Sequence, residues 1–219
     1  MRLAIFDLDH TLLEGDCDQL WGDFISEKGL VDVEFYQSQK NRYFSEYQAG
    51  QLDIQSFLEF SAKTLATFSH SELKELGKEF AQVKVKPKLR PRGIDRLQQH
   101  KENNDCCLVV TATNHFLAGW ATMHLPIDGL IASELEQING NYTGNIKGLP
   151  SYQAGKIRRL QMWLAEKPYS LQQSTFYSDS HNDLPLLREV EVPVVISPDD
   201  TLREVAQNNN WPIENWSIN

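Results

Sequence analysis

Four short apolar runs constrain this chain more than any other feature. Leu3–Phe6, Leu108–Val110, Thr175–Tyr177 and Val192–Ile196 are rich in β-branched, aromatic and aliphatic side chains, the composition of strands buried on both faces. Helical patterns separate the later runs, at Gly93–Glu102 and Tyr152–Glu166. In the second, Ile157, Leu160, Met162, Trp163 and Leu164 make a broad apolar stripe with Arg158, Arg159 and Lys167 outside it. Strands alternating with helices predict an α/β fold, a parallel sheet with helices on both faces.

Residues 16–85 interrupt that alternation. They hold helical patterns and no clear strand. Leu20, Trp21, Phe24 and Ile25 share a face ahead of Gly29, a helix stop. Phe35, Tyr36, Tyr43, Phe44 and Tyr47 form an aromatic stripe that ends at Gly50, and Ile54, Phe57, Leu58 and Leu65 form a third face. Ser69 and Glu72 have capping-box spacing ahead of Leu73, Leu76 and Phe80. The expected organisation is a core domain of residues 1–15 and 86–219, with a helical domain of residues 16–85 inserted after the first strand. Lys84–Pro91 reads as the return to the core, and Asn139-Gly140 within Glu134–Ile146 as the turn of a β-hairpin.

Charge and cysteine content exclude several classes of function. Thirty acidic residues against 21 basic ones give a net charge of −9, which speaks against nucleic acid or an anionic membrane as partner. The longest apolar runs, Cys106–Ala112 and Val192–Ile196, are too short to span a bilayer. An acid at Asp7 interrupts any signal-peptide core. Three cysteines, two of them adjacent, with no CxxC or HExxH spacing, read as reduced thiols of a cytoplasmic protein.

In parallel α/β sheets ligands bind beyond the carboxyl ends of the strands. The first run ends in Asp7-Leu-Asp9-His-Thr11, the second in Thr111-Ala112-Thr113-Asn114 and the third in Ser178-Asp179-Ser-His-Asn182-Asp183; Lys156 begins the helix before the third. Carboxylates, hydroxyls and one amine would thus converge on one edge. The set suits phosphoryl transfer, where catalysis is mostly positioning and neutralisation of oxygen charge. A carboxylate can act as nucleophile, a second can protonate the leaving oxygen and later activate water, and Mg²⁺ would bridge acids to phosphate.

These four elements, in order, resemble the motifs of the haloacid dehalogenase superfamily, and the helical insert resembles the cap of its phosphoserine phosphatase-like branch, within the histidinol-phosphatase and phosphoserine phosphatase subgroup. The resemblance spans nearly the whole chain and implies a Rossmann-like core. It also implies Asp7 as nucleophile, Asp9 as general acid and base, and Lys156 as the amine pairing phosphate with nucleophile. By the same resemblance Thr111 and Ala112 bind phosphate, with Asn182 a polar contact beside them. Mg²⁺ would be held by Asp7, the Asp9 carbonyl and Asp179, with Asp183 orienting the lysine or a metal-bound water. Thr111-Ala112 replaces the branch's usual Ser-Gly, and Ser178 stands where Gly is commoner. Asp16, nine residues after Asp7, matches a family glutamate that binds a substrate amine. The expected substrate is therefore a small amine-bearing phosphomonoester, such as histidinol phosphate or phosphoserine. Lys40 and Arg42 are exposed candidates for a substrate carboxylate, and Trp21 and Phe24 for facing the active site.

Structural roles compete at several positions. Asp16 could cap the first insert helix, His115 and Asn114 the helix after Thr111, while His10 and His181 suit supporting or solvent roles. Trp211 and Trp216 read as packing anchors. Two other functions use similar residues. A phosphorylatable receiver domain would not need Asp9 or the insert, and a dehalogenase would not need Asp9.

Overall fold

The structure, a computed structural model, describes residues 2–218. Strand β1 (Leu3–Phe6) is followed by four helices, α1 (Cys17–Glu27), α2 (Val33–Gln48), α3 (Ile54–Leu65) and α4 (His70–Phe80). A wide helical turn at Ala81–Val85 and a tight one at Lys86–Lys88 lead to α5 (Pro91–Glu102). Then come β2 (Cys106–Asn114), α6 (His115–Thr122), β3 (Gly129–Ile138), β4 (Asn141–Lys147), α7 (Ala154–Leu164), β5 (Ser174–Ser178), α8 (Leu184–Leu187), β6 (Val192–Ile196), α9 (Asp200–Asn208) and β7 (Ile213–Glu214).

The strands form one sheet in the order β4-β3-β2-β1-β5-β6-β7, parallel everywhere except the β3–β4 pair. Side chains of β1 and β2 alternate between two cores. Ala4, Phe6, Cys107 and Val109 point to the face covered by α5, α6 and the insert helices. Leu3, Ile5, Leu108 and Val110 point to the face covered by α7, α8 and α9. This double burial is why those strands are apolar without interruption.

Local chemistry ends the helices where the sequence predicts. Gly29 and Gly50 adopt left-handed backbone after α1 and α2 (φ 66° and 67°), and Ser69 and Glu72 complete the capping box of α4. Asn139 and Gly140, both left-handed, turn β3 into β4.

Several expectations need correction. β2 spans Cys106–Asn114, starting two residues before and ending four residues after the expected Leu108–Val110. β3 is bipartite: its first part pairs parallel with β2 and only its second part forms the hairpin. The hairpin leans on the insert, with His70 Nδ1 3.2 Å from the Gly140 carbonyl oxygen. Met162 is 69% exposed, because at 100° per residue it lies opposite the stripe carried by Leu160 and Leu164. Trp216 is buried against Tyr177 and Trp211 packs at the edge of the other core. No helix among the described residues is long and apolar enough to cross a membrane, and the three cysteines are buried and free.

Candidate active site

The carboxyl ends of β1, β2 and β5 place the motif residues together. Asp7 follows β1 directly and its N–H donates to the Tyr177 carbonyl (2.9 Å). Just beyond, the Leu8 carbonyl accepts from the N–H groups of Thr11, Leu12 and Leu13, a tight reversal that returns the chain over the sheet edge. Asp9 is thereby presented beside Asp7.

Lys156 is the charged centre of this edge. Its Nζ donates to Asp7 Oδ1 and to Asp183 (2.8 Å each), and Asp183 also accepts from Ser178 Oγ (2.7 Å). All three charged residues are buried. Lys156 sits in the first turn of α7, a position the helix dipole disfavours for a cation; the two carboxylates compensate. Gly155 is required here, since a Cβ on it would lie 2.2 Å from the Pro150 carbonyl oxygen. Burial works against the Lys156 ammonium, but Asp183 and Asp7 outweigh it and raise its pKa above the usual lysine range.

Acids nevertheless outnumber that one cation. Burial, opposed by Lys156 and reinforced by Asp183 and Asp9, pushes the Asp7 carboxyl up to about 7. Burial and the charges of Asp7 and Asp183 likewise raise Asp179 well above the carboxylate range, against the donated hydroxyl of Thr11, 3.1 Å away. A cation between them would relieve both. Among the described residues no three His, Cys, Asp or Glu side chains converge as a ready-made metal cluster. A hard ion that needs one or two carboxylates and takes its other oxygens from main chain, substrate and water fits this set, which is the preference of Mg²⁺.

Asp9 is held differently. Its Oδ1 accepts from the Cys17 N–H (2.7 Å), and its Oδ2 from the hydroxyls of Thr111 (3.2 Å) and Thr113 (2.6 Å). Asp9 and Asp183 thus each accept from two or more protein donors, whereas Asp7 accepts from Lys156 and Asp179 from the Thr11 hydroxyl. Asn182 is also fully engaged. Its Oδ1 accepts from Tyr152 Oη (2.9 Å) and Gln153 Nε2 (3.0 Å), and its Nδ2 donates to the Tyr47 carbonyl (3.1 Å), tying the last turn of α2 to the sheet edge.

A cavity opens beside Asp7, Asp9, Thr111, Ala112 and Lys156 and extends between the insert helices. Asp179 faces an adjoining groove with His181 and Asn182, and Phe44 and Tyr47 border both spaces. Asp16 lines the cavity, and its carboxylate caps α1 through the Gln19 N–H (2.8 Å), the structural role expected of it. Burial and the Asp9 charge push it up to about 7.

Other expectations are redirected. Trp21 and Phe24 do not line the cavity; they are buried against Phe80, with Trp21 also against Phe116. Tyr36, Tyr43, Phe57 and Phe60 line it instead. Lys40 is not exposed: its side chain is 9% accessible and its ammonium rests on Asp23. Arg42 stays exposed, stacked over Tyr43. Asn114 caps α6 and reaches Ser61 of α3, and His181 pairs with Asp199 (2.9 Å). Asp18, Gln19, Ser61 and Thr113 line the cavity without having been singled out; the second hydroxyl of Thr111-Ala-Thr113 and an acid two residues after Asp16 were the available signals.

Known proteins share this fold and, in part, this sequence. The profile of the haloacid dehalogenase-like hydrolase family matches residues 4–188. A histidinol-phosphatase of Neisseria meningitidis serogroup C is 41% identical over 219 residues, covering 98% of this chain and 99% of that protein. A Bordetella pertussis protein of unknown function superposes with a TM-score of 0.92 at 37% identity, over 99% of both chains. A phosphoserine phosphatase solved as a phospho-aspartyl intermediate analogue shares the fold, with a TM-score of 0.71 at 15% identity over 99% of this chain and 93% of that one.

Proposed function

Since the chain belongs to the haloacid dehalogenase-like hydrolase family and is a phosphatase, we propose that it hydrolyses a small amine-bearing phosphomonoester, such as histidinol phosphate or phosphoserine, through an aspartyl-phosphate on Asp7. The observation that carries this reading is the buried Asp7–Lys156–Asp183 triad beside Asp9 at the mouth of one cavity.

Lys156 holds Asp7 Oδ1, so the other oxygen attacks phosphorus in line with the leaving alcohol. Lys156 at the same time draws charge from the phosphoryl oxygens, and Asp183 with Ser178 keeps the ammonium aimed. Both donors on Asp9 Oδ2 are hydroxyls, which can rotate to accept, so Oδ2 is able to carry the proton given to the leaving oxygen. The same oxygen then takes a proton from the water that attacks the aspartyl-phosphate. Thr111 and the Ala112 main chain border the phosphoryl group, and Asn182 keeps α2 closed over it through Tyr47. Mg²⁺, held by Asp7, the Asp9 carbonyl and Asp179, would supply the positive charge that keeps Asp7 ionised and offsets the dianionic phosphate. Asp16 would bind the substrate amine. The helical insert, residues 16–85, would act as the cap that excludes water and reads the leaving group. Buried, unpaired cysteines suit a reducing compartment such as the cytoplasm.

A screen over phosphorylated metabolites in Mg²⁺, including histidinol phosphate and phosphoserine, tests the reading. Hydrolysis lost in Asp7→Asn is expected; an Asp7→Asn protein that still turns over substrate would overturn the nucleophile assignment.

A further inference from the structure

Two hydroxyls hold Asp9, and they are not equivalent. Thr111 and Thr113 lie two apart at the extended end of β2, so their side chains emerge on one face and both reach Asp9 Oδ2. Thr113 Oγ1 is 2.6 Å from that oxygen and Thr111 Oγ1 is 3.2 Å from it. Thr111 Oγ1 also accepts from the Thr113 main-chain N–H (3.2 Å), which orients it and leaves its one proton for a single acceptor. Asp9 Oδ1 accepts from the Cys17 N–H, a donor that can never accept. A proton carried by Asp9 therefore sits on Oδ2.

Thr113 is buried, and Asp18, in the first turn of α1, also reaches its hydroxyl. Burial, with the charges of Asp16 and Asp9, raises Asp18 well above the carboxylate range. A protonated Asp18 donates to Thr113, and the proton of the Thr113 hydroxyl is left for Asp9. Substrate changes the balance between the two threonines. Thr111 borders the phosphoryl group, whose oxygens draw its proton away from Asp9. Thr113 stands further along β2 and keeps its contact with Oδ2.

Resting on the phosphatase reading, we propose that Thr113 is a positioning residue for the general acid: its hydroxyl fixes Asp9 Oδ2 toward the leaving oxygen once Thr111 is taken up by the phosphate. As an Asp7 oxygen bonds to phosphorus, the bond to the leaving oxygen breaks, and its electron pair takes the proton of Oδ2. The Thr113 hydroxyl turns to donate to the carboxylate so formed, in a bond that strengthens with the charge. Water then attacks phosphorus, gives a proton to Oδ2 and releases Asp7 and inorganic phosphate.

Leaving-group dependence tests this. p-Nitrophenolate departs without a proton, whereas an alkoxide needs one, and kcat/KM reports the steps up to that departure. The alkyl ester is histidinol phosphate, phosphoserine or β-glycerophosphate, whichever wild-type protein turns over fastest in Mg²⁺. Thr113→Val is expected to lower kcat/KM for the alkyl ester at least about tenfold more than for p-nitrophenyl phosphate, a part of the roughly 10²–10⁴ that general acid catalysis contributes. Thr113→Ser is expected to restore the wild-type ratio, and Thr111→Val to lower both esters alike. Equal losses on the two esters in Thr113→Val would show a merely structural role and overturn the inference; so would a bias in Thr111→Val as large as in Thr113→Val. Both esters are read on one preparation, so partial unfolding cancels, and Thr113→Ala gives the same comparison if the valine variant does not fold. Wild-type turnover of p-nitrophenyl phosphate alone would leave no acid to position and overturn the inference alone. Hydrolysis of no phosphomonoester at all would overturn the phosphatase reading itself.

Discussion

Two groups of acids face one cavity, and they differ in what neutralises them. At the sheet edge, Asp7 and Asp183 share Lys156, an amine encoded in the chain and delivered by the start of α7. At the start of α1, Asp16 and Asp18 share the cavity wall with Lys40, whose charge acts on Asp16 while its ammonium rests on Asp23. The first group carries part of its counter-charge in the chain, so that Asp7 is positioned before substrate arrives. The second shares Lys40 with Asp23 and is otherwise held by hydroxyl and backbone donors. The same residue type is thus held by a dedicated ammonium in one group and mainly by hydroxyl and backbone donors in the other.

The largest effect should come from the first group. Asp7→Asn is expected to lower kcat by about 10⁴-fold or more, the scale of losing a nucleophile; p-nitrophenyl phosphate turnover in Mg²⁺ checks it. Lys156→Met should remove activity and also destabilise the protein by about 3–5 kcal/mol, since breaking a buried ion pair strands its partners. Thermal unfolding at pH 8 would read this as a drop of about 10 °C, and an unchanged midpoint would show that the triad is not held as the geometry indicates.

Chelation separates the groups next. EDTA should silence the enzyme, and Mg²⁺ should both restore activity and raise the unfolding midpoint of the wild type but not of Asp179→Asn. Full activity in chelator would remove the metal from the sheet edge. Turning to the second group, Asp16→Ala should raise the KM of amine-bearing esters about tenfold while raising that of p-nitrophenyl phosphate less. Equal effects on both would place Asp16 with the catalytic acids after all.

The smallest effect is a pH dependence. Asp16 has a folded pKa of about 7 against an ordinary 3.8, so the folded state binds its proton more tightly. Its contribution to stability is complete below about pH 4 and is lost as pH rises through 7. In metal-free and ligand-free protein, the wild-type midpoint minus that of Asp16→Asn should therefore fall by a few degrees, about 2–4 °C per kcal/mol, between pH 5 and pH 8. Parallel curves would show that Asp16 is as solvated as an ordinary helix cap.

Legibility in the sequence followed the same division. β1, β5 and β6 were readable because a strand buried on both faces has to be apolar throughout. β7 was not, because Ile213–Glu214 owes its pairing to β6 rather than to any pattern of its own. The first part of β3 was hidden likewise, its Gly129 and Leu130 being placed by β2. Asp7, Asp9, Thr111, Lys156 and Asp179 could be named in advance because each stands at a strand end or a helix start. Asp18 could not, since an acid in a first turn looks the same whether it meets water or a cavity. Trp21 and Phe24 were assigned to the wrong side for a related reason: aromatic spacing identifies a face, not what the face meets.

By itself, then, the sequence determined the elements and chemistry whose signal is local: buried strands, glycine stops, the capping box of α4 and the acids at strand ends. Tertiary structure alone decided which aromatic rings surround the cavity, that Lys40 turns to Asp23, that Asn182 clasps α2, and that Asp16 and Asp18 line one cavity. Those outcomes depend on contacts between residues far apart in the chain, where burial and charge are set by neighbours that no local spacing specifies.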